Sequence, residues 1–385
     1  MKISFAATNP CHVYPFAQEL AKVGALGAYY SGYPAWKLAG SEGLPLRVHS
    51  LRTSIVYGLL KYVPERFRPS SRSLFVWQDR GFDRWTGAHL EACDFIHGIP
   101  GQCMQTFRAA RKLGVRTVLN HATGPVRDWV KIMEPEYARV GLKLTDVCPY
   151  DAKYFRREDE EYALADFHCA ASTVVRDQLI ARGIESSRIW LVPYGADVRL
   201  FHRGQPPGPP AAGAASHEAP FRIVFAGQVG LRKGLRTLLD ALTLVGRKDW
   251  SVEFFGAVLD EARSDLDAYR GKVQLTFRGA VSQEKLAEGF RAGSVLVLPS
   301  LEEGFGLVVP QALNCGCPAI VSDRVGAKDL VRYRDNGSIF KAGDVANLAT
   351  ELRWWAENPR RTSDCLGWRE PAETLLAAGR AATTS

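Results

Sequence analysis

The segment VLPSLEEGFGLVVPQALNCGCP, ending at Pro318, sets two carboxylates, Glu302 and Glu303, directly ahead of Gly304-Phe305-Gly306 and a stretch that reads as helix. A carboxylate accepts hydrogen bonds from sugar hydroxyls, and the free amides of a helix start favour an anion. Glycines let a ligand approach the backbone closely. This spacing suits a ligand that carries a sugar and a phosphate together. A second segment, FRIVFAGQVGLRKG, runs a strand out through Gly227 and Gln228 and presents Arg232 and Lys233 at another helix start. Cations held beside free amides neutralise a diphosphate. Taken alone, this second segment also fits a solvated basic turn, and Glu303 also fits a plain helix-start carboxylate.

Both segments need a scaffold that delivers strand ends to one place. The first half alternates strands and helices: Lys2–Ala7, Ala25–Tyr30, Phe95–Ile96, Val115–Asn120, Phe167–Ala170 and Ile189–Val192 as strands. Between them, Tyr14–Val23, Gln105–Leu113, Glu158–Ala165 and Ser172–Arg182 read as helices, with Gly114 suited to a left-handed cap. The stretch 202–220 is rich in Pro, Gly and Ala and reads as a linker. After it the rhythm restarts. Arg222–Phe225, Ser251–Phe255, Val273–Phe277, Ser294–Leu298 and Ala319–Ser322 are strands, and Gly234–Leu244, Ser282–Phe290 and Leu307–Asn314 are helices. Such alternation predicts an α/β protein of two doubly wound parallel-sheet domains, with strand C-termini facing one cleft. The expected division is 1–201, linker 202–220, 221–345, and a helical tail 346–385 that carries ELRWWAENPRR.

At 385 residues two domains are the natural expectation, and 46% hydrophobic with 23% charged residues is a globular composition. No stretch approaches the ~18 apolar residues of a membrane span. MKISFAATNP reads as a first strand rather than a leader, which places the chain in the cytoplasm. The eight cysteines show no CxxC pair or ligand spacing, so neither zinc nor a disulfide framework is expected. A net charge of +8 without a nucleic-acid-binding motif fits an enzyme of anionic ligands better than a nucleic-acid binder. Residues 47–84 carry Arg52, Lys61, Arg66, Arg68 and Arg72 among Tyr62, Phe75 and Trp77. That mixture fits either a solvated basic face or a peripheral contact with the inner face of a membrane.

The pair AGQVGLRKGLRTLLDAL and VLPSLEEGFGLVVPQALNCGCPAIVSD resembles the retaining GT-B glycosyltransferases of family 4. Two first-half segments resemble the same family. They are DFIHGIPGQCMQTFRAARKLGVRTVLNHAT, with a histidine after its second strand, and RIWLVPYGADVRLF. The likeness runs over roughly residues 90–345.

The resemblance implies a GT-B fold and transfer of a sugar, with retention, from a nucleotide-diphosphate sugar to a hydroxyl acceptor. The acceptor is a carbohydrate, a lipid-linked sugar or a small molecule, in polysaccharide or glycoconjugate assembly. It also implies that Lys233 and Arg232 bind the donor phosphates beside Gly227, and that amides around Phe305, Gly306 and Leu307 cradle the diphosphate next to Gly304. Glu303 matches the first carboxylate of the family's E-x7-E motif, and His121 stands near the anomeric centre; these two are the candidate catalytic residues. No cofactor or essential metal is implied. Two positions depart from the pattern. Gln311 replaces the second glutamate, which holds the ribose diol, and Gln228 replaces an arginine of the phosphate loop. Gln311 forfeits a charge-assisted bond, about 1–2 kcal/mol of donor affinity. The first turn, Asn9-Pro10-Cys11-His12, lacks the family's Gly-Gly loop. These departures keep two alternatives open: a non-catalytic protein that binds nucleotide sugars, and an epimerase or hydrolase of the same fold.

Overall fold

The computed structural model describes residues 1–144, 150–204 and 221–384. Most of the predicted linker and Cys148 lie outside the described residues. Seven strands form the first sheet: β1 (Ile3–Ala7), β2 (Leu26–Ser31), β3 (Leu46–Val48), β4 (Phe95–Gly98), β5 (Arg116–His121), β6 (Phe167–Ala170) and β7 (Ile189–Leu191). They lie in the order β3-β2-β1-β4-β5-β6-β7. Six form the second: β8 (Arg222–Ala226), β9 (Ser251–Phe255), β10 (Gln274–Gly279), β11 (Val295–Leu298), β12 (Ala319–Ser322) and β13 (Gly337–Phe340). Their order is β10-β9-β8-β11-β12-β13. Every pairing of these strands is parallel.

Central strands read as continuous apolar runs because helices cover both sheet faces. The four residues of β11, VLVL, are all fully buried. In each sheet the winding reverses beside the first strand, between β1 and β4 and between β8 and β11, where folds of this kind bind ligands. Gly114 takes the predicted left-handed conformation, φ +71°, after the helix Met104–Lys112.

Several elements exceed the sequence reading. The helix Ser71–Ala88 buries Gln78, Asp83 and Thr86 beside Leu74 and Phe82, so polar residues blur its apolar stripe. The helix Leu51–Tyr62 buries only Thr53 and Val56. The helix Val126–Arg139 continues through Pro135, which reads as a break in sequence. β3 and β13 are too short to carry an alternation.

The C-terminal stretch divides between the two domains. The helix Val345–Glu357 sends Leu348, Leu352 and Trp355 into the core of the second domain. The chain then crosses back. Leu366 O accepts from Ala196 N at 2.8 Å, and Leu366 N donates to Asn314 Oδ1 at 2.7 Å. Trp368 packs edge-on against Phe16, and the helix Arg369–Thr384 buries Ala372 and Leu375 in the core that includes β1 and the helix Val13–Lys22.

Candidate functional site

Two loops meet at the C-terminal ends of β8 and β11. The first leaves β8 through Gly227 and Gln228, makes a single turn at Leu231–Lys233 and enters the helix Leu235–Val245. The second leaves β11 at Pro299 and enters the helix Val308–Asn314. Gly234 fixes their approach: it holds φ +69°, and a Cβ there would stand 1.9 Å from Pro299 O. A larger residue would push the loops apart. Leu301 N also donates to Arg232 O at 2.9 Å, so the cationic turn and the acidic loop are stitched backbone to backbone.

The charges follow from that stitching. Lys233 Nζ donates to Glu303 Oε2. Arg232 Nη1 reaches Glu302 O at 3.1 Å, Glu302 Oε2 at 3.3 Å and Glu303 Oε2 at 3.4 Å. The side chains of Lys233 and Glu303 are only 11% and 13% exposed. Burial alone would raise the Glu303 carboxyl, but Lys233 and then Arg232 outweigh it and hold the group below its ordinary range. Glu302 is raised instead, because burial outweighs its contact with Arg232. Two cations and one firmly ionised carboxylate therefore share a nearly dry corner. At the start of the adjoining helix Val309 N donates to Gly306 O at 3.0 Å, Gln311 N donates to Leu307 O at 3.3 Å, and Pro310 has no N–H, so the donors the corner can offer are the amides just ahead of these, around Phe305–Leu307.

The first domain closes over this corner. A Cβ on Gly304 would fall 2.3 Å from both Ala122 O and Thr123 Cα, the residues that follow β5. Only glycine permits that contact. Ser172 Oγ accepts from Val175 N, capping the helix Thr173–Ala181, and donates to Gly304 O at 2.7 Å. Thr173 N and Oγ1 donate to Asp329 at 2.7 and 2.6 Å. Phe305 packs on Tyr194, with ring centroids 5.0 Å apart. Behind Tyr194, its hydroxyl and His12 Nε2 both meet Asn120 Oδ1, at 3.3 and 3.0 Å, and the His12 ring stacks on Tyr194.

The predicted site residues separate into groups. Arg232, Lys233, Glu303, Gly304 and Phe305 converge on the corner. Gly227 lies beside Lys233, its Cβ position 3.4 Å from Lys233 Cε. Gly306 and Leu307 lead into the helix that carries Gln311. Gln311 Nε2 donates to Gln283 Oε1 at 3.4 Å, and Gln228 is exposed. His121 ends β5 next to Ala122, but its ring is 1% exposed and turns inward. Its Nε2 pairs with His168 Nδ1 at 3.0 Å, and Tyr162 packs edge-on against it. Burial, then His168, pushes His121 well below the ordinary histidine range, so the ring is neutral. Glu302 entered the sequence reading as the neighbour of Glu303 but with no role of its own. Ser172, Tyr194 and Asn120 were not singled out; they matter through contacts across the chain.

Residues 212–370 match the family model described as Glycosyl transferases group 1, so the second domain carries that family's sequence pattern. D-inositol 3-phosphate glycosyltransferase 1 of Catenulispora acidiphila is 29% identical over 249 residues, 58% of this chain and 59% of that protein. D-inositol 3-phosphate glycosyltransferase of Streptomyces coelicolor is 31% identical over 223 residues, 49% of this chain and 48% of that one. The chain spans about half the length of these relatives. The structure of Anabaena Alr3699/HepE in complex with UDP superposes with a TM-score of 0.61 at 15% identity, covering 100% of this chain and 99% of that one. The fold is GT-B, two Rossmann-like domains facing one cleft.

Proposed function

We propose that the chain is a retaining glycosyltransferase that moves a sugar from a nucleotide-diphosphate donor to a hydroxyl acceptor in polysaccharide or glycoconjugate assembly. The observation that carries the reading is the Arg232–Lys233–Glu303 corner at the β8/β11 switch point, capped by the Ala122–Thr123 loop of the opposite domain. The donor diphosphate takes the place of Glu303 beside Lys233 and rests on the amides around Phe305–Leu307. Glu303, released from Lys233, accepts from the donor sugar's hydroxyls. The bond from the anomeric carbon to the phosphate oxygen breaks, and the bond to the acceptor oxygen forms on the same face. The acceptor's proton passes to the leaving phosphate. Arg232, Lys233 and those amides meet the charge that develops on that phosphate, without a metal. His121 stays neutral and acts on the cleft through the Ala122–Thr123 loop that it anchors. The contact of Gly304 with that loop excludes water at closure and so limits hydrolysis of the donor.

Support for a family 4 assignment is the agreement of four sequence segments in chain order. The Gln311–Gln283 bond leaves an amide where a charged diol ligand was expected, which fits a weaker hold on the ribose. The test is a panel of UDP-, GDP- and ADP-sugars, followed by nucleoside diphosphate release and calorimetric binding. One donor should bind and release its diphosphate. If no donor binds, the reading fails.

The reading includes a cytoplasmic location and a peripheral membrane contact through residues 47–84. Among the described residues no helix is long and apolar enough to cross a membrane. In support of the contact, Tyr62 and Phe67 are 74% and 70% exposed. Lys61 and Arg66 lie over those two rings, and Arg52 lies over Trp77. Such pairs suit a surface of apolar chains and anionic headgroups. Co-sedimentation with anionic vesicles that is lost on Tyr62→Ser/Phe67→Ser would support the contact, and undiminished sedimentation would refute it.

A further inference from the structure

The helix Val126–Arg139 belongs to the first domain, yet it reaches both donor loops of the second. It leaves the Ala122–Thr123 loop that meets Gly304 and runs 14 residues, about 21 Å, to Arg139. Met133 and Tyr137, four residues apart on one face, pack on Leu231, which is 2% exposed. Leu231 opens the single turn that carries Arg232 and Lys233, and its N–H donates to Glu261 Oε1 at 3.1 Å.

Beyond Tyr137 the contact becomes ionic. Arg139 Nη1 and Nη2 donate to Asp265 Oδ1 and Oδ2 at 3.0 and 2.9 Å, a two-pronged bond between the domains. Glu136 Oε2 holds Arg139 Nε at 3.2 Å and leaves both Nη groups for Asp265. The Asp265 side chain is 4% exposed and also accepts from Arg236 Nη1 at 3.4 Å. Arg236 stands in the helix Leu235–Val245, two residues past Gly234. The cationic turn is thus held at both flanks, by Leu231 at its start and by Arg236 behind it. A planar guanidinium that meets a carboxylate with two bonds fixes orientation as well as distance. The contacts of Ser172 and Tyr194 fall instead on Gly304 and Phe305 of the acidic loop. One helix and the loop ahead of it therefore join the first domain to both halves of the donor corner.

We infer that Arg139 and Asp265 are positioning residues for sugar transfer: their bond docks the helix Val126–Arg139 on the flanks of the cationic turn, so that Arg232 and Lys233 are set against the donor with the first domain already in place over it. The pair touches no substrate and acts through Leu231 and Arg236. Its role in transfer rests on the glycosyltransferase reading, whereas the lock itself does not.

The experiment compares the full-length wild type with Arg139→Gln, Arg139→Lys, Asp265→Asn and the Arg139→Gln/Asp265→Asn double variant. Amide hydrogen exchange is read first, without nucleotide, at residues 229–237. Arg139→Gln should exchange there at least about tenfold faster than wild type, while global unfolding stays near wild type because Asp265 keeps Arg236. Exchange at the wild-type rate overturns the lock, whether or not any nucleotide sugar binds. The second arm uses the nucleotide sugar that wild type turns over in the panel of UDP-, GDP- and ADP-sugars. Its nucleoside diphosphate should bind Arg139→Gln within about twofold of wild type, while single-turnover release falls at least about tenfold. Arg139→Lys, which keeps the charge but not the fork, should recover part of that loss. The double variant should be no slower than the slower single variant, since both single changes break the same bond. Release at the wild-type rate in Arg139→Gln, or losses that multiply in the double variant, overturns the positioning role. A parallel loss of diphosphate binding and thermal stability marks a merely structural pair and overturns it too. If the panel yields no donor, the glycosyltransferase reading fails and the exchange arm alone decides the lock.

Discussion

Glu303 occupies Lys233, the cation proposed to take the donor diphosphate. Glu303→Gln should therefore separate two quantities that most site substitutions lower together. The amide preserves shape and can still meet sugar hydroxyls, but it no longer holds Lys233 by charge. Lys233 and Glu303 are 11% and 13% exposed, so their pairing is little screened by solvent. A charge-assisted hydrogen bond in such a setting contributes about 1.5–3 kcal/mol. Arg232 keeps its contacts to Glu302 O and Oε2, so the loop remains stitched after the change. A nucleoside diphosphate without a sugar no longer has to displace Glu303, nor to sit beside its negative charge. Taking the lower figure, its affinity should rise about tenfold. Turnover of the intact donor should fall, because the hydrogen bonds from Glu303 to the sugar weaken as charge develops in the transition state. Calorimetry with UDP and GDP measures the first effect, and single-turnover release of nucleoside diphosphate measures the second. If the variant bound diphosphate no more tightly than wild type and turned over at the wild-type rate, the assignment of Glu303 and Lys233 would be wrong.

Gly304→Ala places a methyl against Ala122 O and Thr123 Cα, so it should leave donor binding near wild type while lowering turnover at least about tenfold, a split read from KM against kcat. Stability should fall on acidification. Burial, then Arg188, lowers His168 to about 4, so between that value and about 6.5 the unfolded chain binds more protons and stability rises with pH. His168 alone accounts for about 2 kcal/mol between about pH 7 and about pH 5. His97, at about 3, adds to it, while Asp79 and Glu161, raised to about 6 and about 7, oppose it. Thermal unfolding of His168→Gln should accordingly show a shallower pH dependence than wild type, and an identical slope would refute the assignment. EDTA should leave transfer unchanged; a loss restored by a divalent cation would contradict charge neutralisation by Arg232 and Lys233.

Much of this arrangement was legible because strand ends in a parallel sheet are announced by short apolar runs that stop at glycine. Gly227 and the Glu302–Gly306 loop both follow such runs, and the structure brings their charges together. Two acids of the first domain serve the backbone: Glu158 Oε1 accepts from Val126 N and Asp166 Oδ2 from Thr117 N. What stayed hidden was set by contacts between distant residues. The inward turn of His121 depends on His168 and Tyr162, which its own strand does not encode. The return of the helix Arg369–Thr384 to the first domain depends on Trp368 meeting Phe16 and on Leu366 bridging Ala196 and Asn314. The partner of Lys233 was also hidden, since a cation chosen for phosphate gives no sign that a carboxylate will occupy it first.

In the proposed reaction the Lys233–Glu303 pair opens to admit a nucleotide sugar. A crystal structure of the full chain with its bound nucleotide-sugar donor tests it most directly. The diphosphate should lie between Lys233 Nζ and the amides around Phe305–Leu307, with Glu303 turned onto the sugar hydroxyls. A donor bound elsewhere, or bound with the Lys233–Glu303 pair intact, would contradict it.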